Sequence, residues 1–247
     1  MITGATSGIG RATAFKLAEA GYSVIITGRR WNLLAELEKK ILPISRVLAL
    51  SFDVSKREEV DHAMEKLPAE WKNIEILINN AGLASGLSTI QKGDIDDWEI
   101  MINTNVKGLL YVTKKVIPNM IANKKGHIVN IGSIAGKEVY PSGNVYCATK
   151  HAVDAITKAM RIDLLEHDIK VTGICPGMVE TEFSLVRFKG NRENAKNVYD
   201  GIEPLKAEDV ADVILFAITR PPHVNLNDIV IMPTAQASTS VINRKKQ

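Results

Sequence analysis

Tyr146 and Lys150 stand four residues apart in Tyr-Cys-Ala-Thr-Lys, and Ser133 lies thirteen residues before the tyrosine, just after the run Ile128–Ile131. Residues at that spacing share one face of a helix, so a phenol and an ammonium placed this way can act as a unit if the segment is helical. A free tyrosine has a pKa of about 10, and using it as a base near neutral pH requires stabilising its phenolate, which a fixed neighbouring ammonium does. The chemistry this set suits is proton transfer at an oxygen. Tyr146 would take a hydroxyl proton as hydride leaves the same carbon, or return it to a carbonyl oxygen in reverse, with Ser133 hydrogen-bonding that oxygen. Neither step needs a metal.

Spacing alone does not single out this pair, because Tyr-x-x-x-Lys also occurs at Tyr111–Lys115. That copy falls in mid-helix with no strand-end serine shortly before it, and reads as an exposed pair one turn apart. The second copy has Ser133 ahead of it and Asn105 further upstream in Asn-Val-Lys-Gly. Ser133 alone could equally cap a turn. As a nucleophile it fails, since the hydrolase elbow Gly-x-Ser-x-Gly would need glycine where Ile131 and Ala135 stand. His62, His127, His151, His167 and His223 show no ligand spacing, and neither do Cys147 and Cys175, so no metal site is expected. The two cysteines read as small buried residues in a reducing compartment.

The elements that must position these groups can be read along the chain. Thr3-Gly4-Ala5-Thr6-Ser7-Gly8-Ile9-Gly10 precedes a helical pattern that stops at Gly21. A glycine turn opening a helix presents backbone N–H groups and the positive helix end to a phosphate, although such turns also occur for purely structural reasons. The β-branched run Val24–Thr27 then ends in Gly28-Arg29-Arg30, about twenty residues past the glycines, where an acid would hold the ribose 2′-hydroxyl of NAD and a base accommodates the 2′-phosphate of NADP. Two arginines there favour NADP. Only Met1 and Ile2 precede Thr3, where a strand of about five or six residues is expected, so the chain is expected to enter part-way along its first strand.

The remainder alternates. Helix Trp31–Ile41, strand Val47–Phe52 ending at Asp53, helix Lys56–Leu67 and strand Ile74–Ile78 lead into Asn79-Asn80-Ala81-Gly82. A mostly helical stretch Asp97–Asn123, interrupted at Gly108, precedes strand Ile128–Ile131 and a helix from Asn144 to about Glu166. Strand Val171–Cys175, a break at Pro176-Gly177, a mobile stretch to Pro204, helix Glu208–Thr219 and strand Ile229–Met232 complete the pattern. This alternation predicts a single-domain α/β protein, a Rossmann-type doubly wound sheet of about seven mostly parallel strands with helices on both faces, binding ligands at the strands' carboxyl ends.

Composition bounds the function. With 45% hydrophobic and 24% charged residues and no linker-like segment, the 247 residues suit one soluble domain. The formal charge of +3 is scattered apart from Arg244-Lys245-Lys246, which argues against a nucleic-acid groove. No apolar run approaches the ~18 residues of a membrane span, and the N-terminus lacks a signal-peptide design. A cytosolic protein acting on a small molecule is expected.

Taken together, T-G-x-x-x-G-I-G, N-N-A-G, N-V-K-G, Ser133, Y-x-x-x-K and P-G-M-V-E-T resemble the short-chain dehydrogenase/reductases over essentially the whole chain. The resemblance implies that Gly4, Ser7, Gly8, Ile9 and Gly10 cradle the pyrophosphate, that Arg29 and Arg30 flank the 2′-phosphate, and that Asp53 and Val54 border the adenine. It further implies that Asn80 and Gly82 line the cofactor groove, that Thr181 after Pro176-Gly177 holds the carboxamide, and that Asn105, Ser133, Tyr146 and Lys150 form a catalytic tetrad. The short first strand departs from the family pattern without touching the site.

A narrower likeness lies in P-A-E-W, N-N-A-G-L-A-S-G, Y-P-S-G-N-V-Y, P-G-M-V-E-T-E-F-S-L-V-R-F-K-G-N and the ending M-P-T-A-Q-A-S. These are similar to the NADP-dependent serine or 3-hydroxy acid dehydrogenases, also called L-allo-threonine dehydrogenases. That likeness implies oxidation of the 3-hydroxyl of small acids of the serine, allo-threonine or 3-hydroxypropionate type, the matching semialdehyde in reverse, and a homotetramer. Ser133, Asn144, Arg187 and Lys189 are the candidate substrate contacts. Either cation could pair with a carboxylate, and both could equally be solvated loop charges. Two alternatives stay open: a reductase for another ketone, sugar or steroid, and a non-catalytic NADP-binding sensor. An aromatic content of 5% and a short polar loop speak against a large apolar pocket; the intact Asn105, Ser133, Tyr146 and Lys150 speak against a sensor.

Overall fold

The computed structural model describes residues 1–245, so Lys246, last of the basic cluster near the end, lies outside the described residues. After Met1 and Ile2 the chain forms α1 (Gly8–Glu19), β1 (Val24–Gly28), α2 (Trp31–Ile41), β2 (Val47–Ser51), α3 (Arg57–Glu65), β3 (Ile76–Asn79), α4 (Ile95–Ile102), α5 (Leu109–Ala122), β4 (Gly126–Ile131), α6 (Asn144–Asp163) and β5 (Ile169–Pro176). Then follow α7 (Glu182–Arg187), α8 (Arg192–Asn197), α9 (Ala207–Ile218) and β6 (Asp228–Ile231).

Every strand pair is parallel among the described residues: β1 lies beside β2, and β3, β4, β5 and β6 follow one another. Ile2 joins the two sets, bridging to Ile26 on one side and Ile78 on the other. Thr27 N–H donates to the Ile2 carbonyl at 3.0 Å, and Ile78 N–H to the Met1 carbonyl at 2.8 Å. The sequence predicts about seven strands; six form, because the backbone turns at Thr3 and leaves only Met1 and Ile2 to pair between β1 and β3.

All residues of β1 and β4 are buried, which is why these strands read as apolar runs rather than as an alternation. One face of the sheet packs Val60 of α3, Val112, Val116 and Met120 of α5, and Val153 of α6 against Leu77, Ile128 and Val171. The other packs Leu17 of α1, Leu34 of α2, and Val210 and Ile214 of α9 against Ile26, Val129 and Ile174. Burying a side chain of this size contributes about 1.5–3 kcal/mol, so two continuous layers of them fix the order of the strands. All strand carboxyl ends therefore open on one edge, where the site is built.

Three local outcomes differ from the sequence reading. Between α4 and α5 the backbone does not break at Gly108 but widens into a π-helical turn over Asn103–Gly108, a feature frequent at functional sites. The stretch 178–204, expected as a mobile loop, holds α7 and α8 and is tied back by Leu205 N–H to the Met178 carbonyl at 2.9 Å. Each of those six-residue helices buries one residue, Ser184 or Ala195, too little to print a helical period on the sequence. Finally, α6 ends at Asp163 rather than about Glu166; it buries Tyr146, Thr149, Lys150, Val153 and Thr157, while Ala148, Ala155 and Ala159 face outward.

Candidate active site

The glycine turn is held in place from below. Asn80 Nδ2 donates to the carbonyls of Thr3 (2.9 Å) and Gly4 (3.1 Å), and the backbone N–H groups of Asn80 and Ala81 both donate to Thr3 Oγ1 at 3.0 Å. Gly4 has φ +66°, a left-handed conformation that favours glycine. A Cβ on Gly10 would lie 2.4 Å from the Gly4 carbonyl oxygen, so only glycine lets α1 start this close to the turn. Its first turn carries no acidic residue, leaving the positive helix end uncompensated. The chain thus builds an anion cradle out of backbone.

That cradle is one end of a cleft of about 340 Å³. Gly4, Ser7, Gly8 and Ile9 line it, followed by Arg29, Arg30, Asp53, Val54, Asn80, Gly82, Ser133, Tyr146, Lys150, Pro176, Gly177 and Thr181. Gly10 stands behind the turn. At the far end Arg30 donates from Nε and Nη2 to Thr6 Oγ1 (3.2 and 2.9 Å) and from Nη2 to Ser7 Oγ (3.0 Å). Its Nη1 pairs with Glu182 Oε2 at 2.9 Å, and Arg29 sits 3.5 Å from Asp53 Oδ2. No acid occupies positions 29 or 30, so this end suits an anionic ribose substituent.

At the other end β4 delivers Ser133 and α6 delivers Tyr146 and Lys150. Ser133 Oγ accepts from Ala135 N–H at 3.1 Å, capping the turn that follows. Lys150 is buried; its Nζ donates to the Ile131 carbonyl at 2.9 Å, and it has no carboxylate partner among the described residues. Burial lowers its pKa to about 8. The Tyr146 phenol is pushed up to about 12, chiefly by burial, with the Arg187 guanidinium pulling the other way. Asn105, on the π turn, accepts from Leu83 N–H and donates to the Leu83 carbonyl, each at 2.8 Å, and donates to Thr149 Oγ1 at 3.0 Å. It does not line the cleft itself but holds Leu83, which does, and Thr149 of α6.

A second, smaller cavity of about 20 Å³ lies beyond the phenol, lined by Ser85, Ser88, Trp98, Asn144 and Arg187 among others. Tyr146 is the one residue that borders both spaces. Arg187 is the group the sequence could not place. Its guanidinium carbon lies 4.8 Å from the Tyr146 ring centre, 5.3 Å from Phe183 and 5.6 Å from Tyr140. It donates to the Tyr140 hydroxyl, and its Nε is buried without a partner. Asn144 Nδ2 donates to the Ser88 carbonyl at 2.8 Å. Lys189 lines neither cavity; it pairs with Asp97 at 2.9 Å and Asp94 at 3.6 Å, so its charge is taken up on α4.

Thr6, Tyr140, Phe183 and Glu182 complete these contacts and went unseen in the sequence. Phe183 and Glu182 belong to α7, which carries no sequence period, and Tyr140 meets Arg187 across 47 residues of chain. The second Tyr-x-x-x-Lys copy, expected as an exposed pair, differs in part: Tyr111 is half-buried on α5, while Lys115 is exposed and pairs with Asp61 at 2.8 Å, and neither residue lines the cleft. His127 is a structural histidine, buried with Nε2 2.8 Å from Thr172 Oγ1, and both cysteines are free and buried.

A doubly wound parallel sheet whose strand ends carry a glycine anion cradle, two arginines and a buried Tyr-Lys pair defines a dinucleotide-dependent oxidoreductase. Comparison with known proteins narrows this. The model of the short chain dehydrogenase family matches residues 1–191, and the chain belongs to that family. It is 43% identical over 250 residues to an NADP-dependent 3-hydroxy acid dehydrogenase of Schizosaccharomyces pombe, covering all of this chain and 96% of the relative. It is 44% identical over 238 residues to sulfoacetaldehyde reductase 2 of Chromohalobacter salexigens, covering 96% and 94%. A solved structure described as the closed form of serine dehydrogenase complexed with NADP+ superposes with a TM-score of 0.93 at 42% identity, covering 100% of this chain and 98% of that one. No helix among the described residues is long and apolar enough to cross a membrane.

Proposed function

We propose that this protein transfers hydride between NADP and the 3-hydroxyl or carbonyl carbon of a small acid, with Tyr146 as the general acid and base. The observation that carries the reading is the position of Tyr146, which lines both the cleft that holds the glycine cradle and the small cavity that holds Arg187. NADP is the cofactor. Its pyrophosphate suits Gly4, Ser7, Gly8, Ile9 and Gly10, its 2′-phosphate Arg29 and Arg30, and its adenine the border formed by Asp53 and Val54. Asn80, Gly82, Pro176, Gly177 and Thr181 line the remainder. When bound, NADP supplies the hydride acceptor or donor.

The chain's own residues handle the proton. In the oxidative direction Tyr146 accepts the substrate's hydroxyl proton; in the reductive direction it donates that proton to the carbonyl oxygen, toward which Ser133 directs a hydrogen bond. At pH 7 Lys150, with its pKa lowered to about 8, still carries its proton, and that charge one helical turn away would favour the phenolate alongside Arg187, the cation that pulls the phenol down in the structure. Asn105 is a positioning residue that fixes residue 83 and the Thr149 turn of α6.

Arg187 is the anion receptor. A guanidinium enclosed by three rings with a buried, unpartnered Nε is held ready for a planar or tetrahedral acid. Asn144 and Ser133 flank the same phenol. Malonic semialdehyde and sulfoacetaldehyde share one skeleton, an aldehyde and an anion separated by a methylene, and one arginine could serve both. The cavity beyond Tyr146, about 20 Å³, favours a small group over a steroid. Lys189, already paired with two aspartates, contributes through α4 rather than through the substrate. The working form is a cytoplasmic homotetramer, in keeping with the exposed Ile95, Ile100, Ile102 and Leu110 on α4 and α5; light scattering tests the assembly.

A substrate panel with NADPH tests the reading. Malonic semialdehyde or sulfoacetaldehyde should be reduced with kcat/KM far above that of propanal, and Arg187→Ala should raise KM for the acids about 10- to 100-fold while leaving propanal unchanged. Equal use of propanal by the wild type would refute the anion receptor. Failure of every carbonyl with tight NADPH binding would favour a sensor.

A further inference from the structure

Arg30 reaches across the mouth of the cleft. Three of its donors are committed: Nε and Nη2 to Thr6 and Ser7 on the glycine turn, and Nη1 to Glu182 on the opposite wall, at the start of α7. Arg30 and Glu182 lie 152 residues apart in sequence, and both line the cleft. Both side chains are nearly half exposed, at 46% and 49%. Pairs as open as this are weak and yield to a stronger partner.

We propose that Glu182 is a specificity-determining residue that competes with the cofactor's 2′-phosphate for Arg30, and so holds back the protein's preference for NADP over NAD. The inference rests on the NADP reading. A phosphate dianion brings more charge and more acceptor oxygens than a carboxylate, and guanidinium geometry suits it. NADP therefore displaces Glu182 from Nη1, or binds beside it against its repulsion, and loses affinity in either case. The uncharged 2′-hydroxyl of NAD makes no such demand and leaves the ion pair intact.

The same displacement reaches the chemistry. Glu182 is followed by Phe183, whose ring centre lies 5.5 Å from that of Tyr146, and α7 ends at Arg187, whose guanidinium carbon lies 4.8 Å from the Tyr146 ring centre and 5.3 Å from that of Phe183. The helix that clasps the adenosine end of the cleft thus also frames the reacting end, and a cofactor that frees Glu182 loosens α7 from the glycine turn.

Calorimetric dissociation constants test this without any turnover. NADP+, 2′,5′-ADP, NAD+ and 5′-AMP are titrated into wild type, Glu182→Gln, Arg30→Gln and the double variant. Glu182→Gln should tighten NADP+ and 2′,5′-ADP about two- to fivefold and leave NAD+ and 5′-AMP within about twofold, with the gain abolished in the Arg30→Gln background. Glu182→Gln leaves the fold intact because the side chain is exposed and makes no other contact of note, and circular dichroism checks this. Equal tightening of all four ligands would reveal only a diffuse charge effect and overturn the proposal, as would no tightening or a gain that persists without Arg30. Wild type binding NAD+ as tightly as NADP+ would overturn the NADP reading itself, and this inference with it.

Discussion

Two stretches of this protein carry the same four-residue spacing of tyrosine and lysine on a helix, and they do opposite things with it. On α5, Tyr111 is half-buried and Lys115 gives its charge to Asp61 of α3 at 2.8 Å. On α6, Tyr146 is buried between two cavities, and Lys150 is buried on the Ile131 carbonyl with no carboxylate beside it. One ammonium is neutralised at the surface; the other is kept desolvated on a backbone carbonyl, one helical turn from a phenol that lines the same cleft. A spacing is therefore only an opportunity; the copy to which we assign chemistry is the one with no competing acid beside it and a strand end ahead of it.

The largest effect should separate the two tyrosines. Tyr146→Phe should lower kcat for NADPH-dependent reduction of malonic semialdehyde by about 10²- to 10⁴-fold, the range of general acid–base catalysis, while Tyr111→Phe stays within about twofold. The lysines should differ less. Lys150→Met should cost about 10-fold or more in kcat and, because Lys150 lines the cofactor cleft, should also weaken NADP+ binding, whereas Lys115→Met should cost nothing measurable in turnover.

Stability should invert that order. Burial lowers the Lys150 pKa to about 8 from 10.5, so the folded state disfavours the charged form and binds fewer protons than the unfolded chain between those values. Unfolding stability then rises with pH across that window, and the full cost of the buried charge is present below about pH 8. Lys150→Met should raise Tm by a few degrees at pH 7, with the gain shrinking as pH climbs toward 10.5, as differential scanning fluorimetry can follow. The smallest effect belongs to Asp61→Asn, which breaks the partly exposed pair between α3 and α5 and should change stability by less than about 1 kcal/mol in urea unfolding.

Much of this was written in the sequence. Helix α2 falls on Trp31–Ile41 as its pattern predicts, and β1 and β2 begin at Val24 and Val47 as expected, because apolar runs between turn residues report buried parallel strands directly. The glycine turn and the two arginines were legible because backbone demands restrict residue type there. Arg187 was only a candidate, since α7 is too short to show which face it presents. Lys189 looked equivalent to it, and only the fold reveals that Asp94 and Asp97, nearly a hundred residues earlier in the chain, claim one cation and leave the other beside the phenol. Glu182 carries no local mark at all, because its partner Arg30 is on the first half of the sheet.

The most direct test of the central claim, that an uncompensated Lys150 makes the Tyr146 phenol usable, is the pH dependence of kcat for 3-hydroxypropionate oxidation, which reports ionisation in the loaded complex. Activity should rise with pH as Tyr146 becomes the base, and Lys150→Met should move that rising limb to higher pH while Lys115→Met leaves it in place. A limb at the same pH in wild type and Lys150→Met would contradict the account.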